Sequence, residues 1–225
     1  EAGHDVTVLT SLLNPAFESR ENLLTANKPW KCVRILDLST ASKLSTLRRR
    51  LRTRVANETY RLTGRGSVCQ LGYVGPELLK YCLHHEADIF SVHLEQAFCV
   101  GAELLKKGFR VSGDFEDWYS EDLLPAARKT RPIKLLQDCE SAVINDAHFS
   151  TATSQCMSRR MASRFGAARE PHVVLNTFSL AERDSIDGKL EDRREENLLS
   201  ICWFSQTIGP KRGLEELMQA THHLT

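Results

Sequence analysis

The stretch that most constrains this chain is residues 87–121, ADIFSVHLEQAFCVGAELLKKGFRVSGDFEDWYSE. Ile89, Phe90 and Val92 form a short apolar run that stops at His93. A run of this kind, bounded by polar residues, predicts a strand. Phe98, Val100, Leu104 and Leu105 then predict a helix, closed by Gly108, which accepts a left-handed C-terminal turn without strain. Phe109, Arg110 and Val111 begin a second strand, which opens into Asp114, Glu116, Asp117, Trp118 and Glu121. Ligands of open parallel sheets bind outside the carboxyl ends of the strands. His93 and Asp114 both fall at such ends, so the expectation is a cleft holding one imidazole and several carboxylates.

The rest of the chain repeats the strand–helix pattern. Val6, Val8 and Leu9 predict a strand directly after Gly3-His4-Asp5, and residues 30–36 a second one. A strand–helix unit normally precedes such an opening turn, so one is expected before Glu1. Residues 12–29 are polar, contain Asn14-Pro15 and read as a loop. Leu44, Leu47, Leu51 and Val55 predict a helix over 42–62, and Pro76 opens another that runs to about Glu86. Pro132 starts a helix with Ile133, Leu136, Ala142 and Val143 on its apolar side. Residues 147–152 predict a strand. A helix capped by Thr153 or Ser154 follows, with Met157, Met161 and Phe165 in a core-packing stripe and Gly166 at its end. Residues 172–175 predict one more strand, ending at Asn176. This alternation argues for α/β architecture, a Rossmann-like parallel sheet with helices on both faces. Residues 179–197 are densely charged and read as a linker. A fresh βα unit then begins at Leu198. The expected organisation is a domain over 1–178, the linker, and the start of a second Rossmann-like domain over 198–225.

Composition excludes several classes. Of 225 residues 41% are hydrophobic and the net charge is +1, which favours neither a nucleic acid nor a membrane through overall charge. No apolar run approaches the roughly 18–20 residues of a membrane-spanning helix. Seven scattered cysteines without a CxxC pair read as reduced thiols of a cytoplasmic protein, mostly buried, and argue against zinc. His84 and His85 are adjacent, point to different sides and cannot form one metal pair. Gly64-Arg65-Gly66 is half of a dinucleotide fingerprint, but Cys69 stands where the third glycine belongs and no strand leads in, so a dehydrogenase is disfavoured. The helix over 42–62 carries Arg48, Arg49, Arg50, Arg52 and Arg54. Either these are a solvated face, or they are a basic patch for anionic lipid at the inner face of a membrane. No aromatics interleave with them, which disfavours single-stranded nucleic acid.

Taken in order, GHDVTVLTS near the start, the strand ending in His93, VSGDFEDWYSEDLL, HVVLNTF with Asn176, and WFSQTIGPKRGLEEL at 203–217 resemble the retaining glycosyltransferases of the two-domain GT-B fold, family 4 group. The resemblance covers essentially the whole chain. It implies transfer of a sugar from a nucleotide-sugar, as co-substrate, to a glycan, lipid-linked or small-molecule acceptor held mainly by the N-terminal domain, with no metal cofactor. It implies that His93 touches the transferred sugar and supports an oxocarbenium-like transition state, the alternative being a histidine satisfied by backbone at a strand end. Asp114 and Glu116 would orient the acceptor, or merely cap the loop, with Phe115 replacing the family's histidine between them. Glu95 and Asn176 would also contact substrate. Gln206, Lys211, Arg212 and Gly213 would hold the donor diphosphate, Gln206 standing where the family often has arginine and Ser205 where it often has glycine. The family's first glycine-bearing loop and its acidic Glu-x7-Glu donor motif would lie outside these 225 residues, so the chain alone is expected to be inactive. The competing expectations are a catalytically inactive sugar- or nucleotide-binding protein of the same fold, and a peripheral membrane module built on the arginine-rich helix.

Overall fold

The computed structural model describes residues 3–123, 125–182, 201–203 and 213–223. The chain divides into two compact units, Glu1–Asn176 and Thr177–Thr225. The first unit is α/β, Rossmann-like, with parallel strands flanked by helices. Strand β1 (Thr7–Leu12) pairs with β2 (Lys31–Asp37) in parallel, with a register shift between Thr10 and Ser11. Leu12 and Leu36 are the buried residues of this pair.

The segment between these strands is more ordered than the expected loop. The Asn14 side chain accepts from the Ala16 N–H, and Pro15 opens a single 3-10 turn that leads into α1 (Glu18–Thr25). Asn as cap and Pro at the first helical position are both favoured there. No residue of this helix is buried and it has no side-chain cap of its own, but Arg34 of β2 donates to Asn22 and lies near Glu18. It carries no apolar stripe for a periodicity reading to find.

The second sheet holds β3 (Phe90–His93), β4 (Val111–Phe115), β5 (Phe149–Ala152) and β6 (His172–Val173), all parallel and in sequence order. Helices α2 (Lys43–Thr63), α3 (Gly75–Leu83) and α4 (Glu95–Lys106) precede β4, and α5 (Pro125–Arg128), α6 (Ile133–Asp146) and α7 (Gln155–Phe165) follow it. Side chains alternate along each strand. Val111, Gly113 and Phe115 of β4 therefore share one face. A β-carbon on Gly113 would sit 2.4 Å from Val143 of α6, and the Phe115 ring lies 4.5 Å from that of Phe98 on α4. Phe98, Leu104, Val111, Phe115, Leu136, Val143 and Met161 are completely buried and form the core. Met157 and Phe165 pack against it, as the Met/Phe stripe on α7 anticipates. Ser154 caps α7, and Gly166 ends it in the left-handed conformation.

Two expectations change in detail. β6 is shorter than residues 172–175: one further bond, from the Val174 N–H to the Ala152 carbonyl, closes the pairing, and every residue from His172 to Glu182 is exposed. Four cysteines are buried (69, 82, 99 and 139), while Cys32, Cys156 and Cys202 are exposed. The apolar stripe of α2 does not enter the core, for Leu44, Leu47, Leu51 and Val55 are all more than half exposed. Gly64 and Gly66 have structural work: Gly64 is the left-handed cap of α2, and a β-carbon on Gly66 would stand 2.8 Å from Pro132. In the second unit α8 (Leu214–Thr221) follows Gly213. The expected linker beyond Glu182, most of the strand over 198–204, and Gln206, Lys211 and Arg212 lie outside the described residues.

Candidate functional site

Register builds the site. His93 ends β3 and pairs with Asp114 of β4, and Asp114 pairs with Thr151 of β5. The three therefore form one row across the sheet, on the face opposite Val111, Gly113 and Phe115. Because the strands are parallel, the row lies at their carboxyl ends.

The row is hydrogen-bonded. His93 Nδ1 lies 3.2 Å from Asp114 Oδ2, and His93 Nε2 lies 3.0 Å from Glu116 Oε2. Thr151 Oγ1 donates to the other Asp114 oxygen at 2.7 Å, and Thr153 Oγ1 donates to the Glu116 carbonyl at 3.1 Å. The imidazole thus sits between two carboxylates, one braced from the next strand and the other carried on a braced backbone. The Nδ1 contact is a hydrogen bond, while Nε2 makes a close approach to the Glu116 carboxylate. The side chains of His93, Asp114 and Glu116 are 44%, 48% and 41% exposed. An incoming hydroxyl can reach either ring nitrogen by displacing one carboxylate.

The backbone beside the histidine is strained. Leu94 has φ +71° and ψ 159°, a region used almost only by glycine. Its carbonyl accepts from the Phe98 N–H and so starts α4. The sharp passage from strand to helix aims the His93 side chain out of the sheet end while α4 packs back on the core. Asp117, next in the loop, has its carboxyl raised above the usual carboxylate range, first by burial and then by Asp122 and Glu116, with His93 pulling the other way. This end of the sheet therefore concentrates negative charge around one imidazole.

Of the residues expected at the site, His93, Asp114 and Glu116 are brought together. Glu95 stands in the first turn of α4, where its carboxylate is tied to Arg131. Asn176 is exposed beyond β6. Gly213 belongs to the second unit, with φ +83°. Phe115 is completely buried against Phe98, so its aromatic ring serves the core. Thr151 was not singled out from sequence, and Thr153 only as a cap candidate for α7, although pairing Asp114 with the β5 strand in register would have found Thr151. Glu140 was also missed. It lies on α6, is completely buried, and its Oε1 accepts from the Ser120 N–H at 3.0 Å, fixing the acidic loop from below. Burial pushes its carboxyl up to about 7, and its second oxygen has no hydrogen-bond partner.

Among the described residues no group of three His, Cys, Asp or Glu side chains is arranged to hold a metal ion. No helix among them is long and apolar enough to cross a membrane. The sequence matches no family model and no curated protein.

Proposed function

We propose that this chain contains the acceptor-side domain of a retaining glycosyltransferase that uses a nucleotide-sugar donor, with His93 contacting the sugar that is transferred. The observation that carries the reading is the clamped imidazole: His93 at a parallel strand end, held by Asp114 and Glu116 and open to solvent on that side. An imidazole braced in this way presents a ring N–H to a sugar hydroxyl beside the leaving oxygen. Glu116, released from the ring, accepts a hydroxyl proton of an acceptor. Asp114 is the positioning residue, since Thr151 fixes one of its oxygens while the other orients Nδ1. Such preorganised donors typically contribute about a hundredfold or more to a rate.

The test is saturation-transfer NMR on the whole chain with a panel of nucleotide-sugars and oligosaccharide acceptors. Sugar-ring protons should receive saturation from the native chain and lose it with His93→Ala, while Asp114→Asn should weaken it less. A panel in which no sugar binds, or binds His93→Ala equally, would overturn the assignment. The chain alone is expected to bind sugar without transferring it, so release of nucleoside diphosphate by it would contradict that expectation.

A further inference from the structure

Helix α2 is mounted inside out. Its 21 residues include none that is buried. The face toward the body of the unit is polar and is held by polar bonds. Arg52 donates to both oxygens of Glu77, at 3.1 and 2.9 Å, and to the Tyr73 carbonyl at 2.8 Å. Arg49 stands 3.5 Å from Glu77, and the Tyr60 hydroxyl donates to the Arg131 carbonyl at 2.9 Å. Leu44, Leu47, Leu51, Val55 and Leu62 are 77%, 63%, 58%, 56% and 83% exposed. At the helical step these five fall within about 40° either side of Leu51, in one outward stripe that runs the length of the helix.

The remaining arginines flank that stripe. By the same step Arg48 lies beside it on one edge and Arg54 on the other, with Arg50 just behind Arg54. All three are exposed, and among the described residues no carboxylate lies within 4.0 Å of any of them. Glu77 neutralises the inward arginines only, and Glu58 is paired with Arg61 at 3.1 Å. The outward face is therefore a leucine ridge with an uncompensated cationic border.

We infer that α2 docks this face on an anionic phospholipid surface, the leucines entering the boundary between head groups and acyl chains and Arg48, Arg50 and Arg54 meeting the phosphates. The charge pattern selects this occupant over a second protein. Protein interface cores are depleted of charge, and here three unpaired cations border an apolar strip only a few side chains wide. A helix lying in a membrane interface has this combination of an apolar face and basic flanks. The inference stands independently of the reading of His93.

The experiment is flotation of the whole chain with vesicles of phosphatidylcholine alone and of phosphatidylcholine with about 30 mol % phosphatidylserine, at low and high salt. Binding should appear with the anionic vesicles and fall as salt screens the contact. Arg48→Gln, Arg50→Gln and Arg54→Gln should each weaken it roughly fivefold, and together about a hundredfold. Leu47→Gln with Leu51→Gln should also release the chain, and these exposed positions leave the fold intact by circular dichroism. Absence of binding to anionic vesicles, or binding equal on both vesicle types, would overturn the inference. So would sedimentation showing a dimer that Leu51→Gln dissociates, because the ridge would then be covered by a second copy.

Discussion

At the scale of single residues, two positions carry free energy that the sequence conceals. Leu94 sits in a glycine region of backbone space with its side chain 55% exposed. Leu94→Gly should relieve about 1–3 kcal/mol of strain against about 1 kcal/mol of added unfolded-state freedom, a net stabilisation of roughly 1 kcal/mol. Urea unfolding reads this, and the stabilised variant should hold His93 less firmly. A destabilised variant would mean that the leucine side chain contributes packing. Glu140 works in the opposite sense. Its folded pKa of about 7 lies above the ordinary 4.5, so the native state binds its proton more tightly than the unfolded chain does. Its stabilising contribution is complete below about pH 4.5 and declines as pH rises through about 7, by something on the order of 3 kcal/mol. Glu140→Gln should remove that slope. The quantity to measure is the stability difference between variant and native chain from pH 4 to 8, and a pH-independent difference would refute the account. The place of His93 was legible from sequence because it ends an apolar run, and that of Asp114 because it stands where the next strand opens into acids. Leu94 and Glu140 were not, since a strained φ has no composition and a buried glutamate looks like any helical acid.

At the scale of elements, periodicity located the helices better than it oriented them. The 3–4 spacing of leucines in α2 correctly marked a helix, but spacing alone does not say which way the stripe faces. Orientation is decided by partners far away in sequence: Glu77 and Tyr73 on and before α3, and Arg131 before α6. Glu77 is the pivot. Burial pushes its carboxyl up, yet bonds from Arg52 and the nearby charge of Arg49 outweigh this and leave it below the usual value. Glu77→Ala strips both arginines of their counter-charge and removes the two bonds that Arg52 donates to its carboxylate. It should cost about 1–2 kcal/mol, because the pair is partly solvated. Arg52→Ala alone should cost less than Glu77→Ala, since Arg49 keeps the carboxylate paired. Thermal unfolding of the two variants compares them, and the reverse order would mean that the Tyr73 carbonyl bond anchors the helix. α1 went unseen for the complementary reason: no buried side chain and no apolar stripe report it.

At the scale of the whole molecule, the question is where the stability resides. Among the described residues every buried one lies between Leu12 and Pro171. The main core cluster runs from Leu71 to Met161, and its last packed neighbours are Phe165 and Ala167. Among the described residues after Asn176 none is buried, and α8 has no buried side chain. The four-stranded sheet was legible because each βα unit announces itself in apolar runs and glycine stops, and adjacent units pair in order. The separate pairing of β1 with β2 was not, because nothing in the sequence says which strand lies beside which. A unit of about 180 residues buries roughly 70% of its unfolded surface, enough to fold alone. A chain ending at Asn176 should therefore unfold in one cooperative transition, with its midpoint within about 3 °C of the longer chain. It should also keep the native near-ultraviolet signature of Trp118, whose ring packs 6.2 Å from Phe165. Calorimetry of the two chains decides it. Loss of the transition, or a midpoint lower by about 10 °C or more, would require that residues after Asn176 supply buried area to the first unit. The His93 row, which belongs wholly to that unit, would then depend on them too.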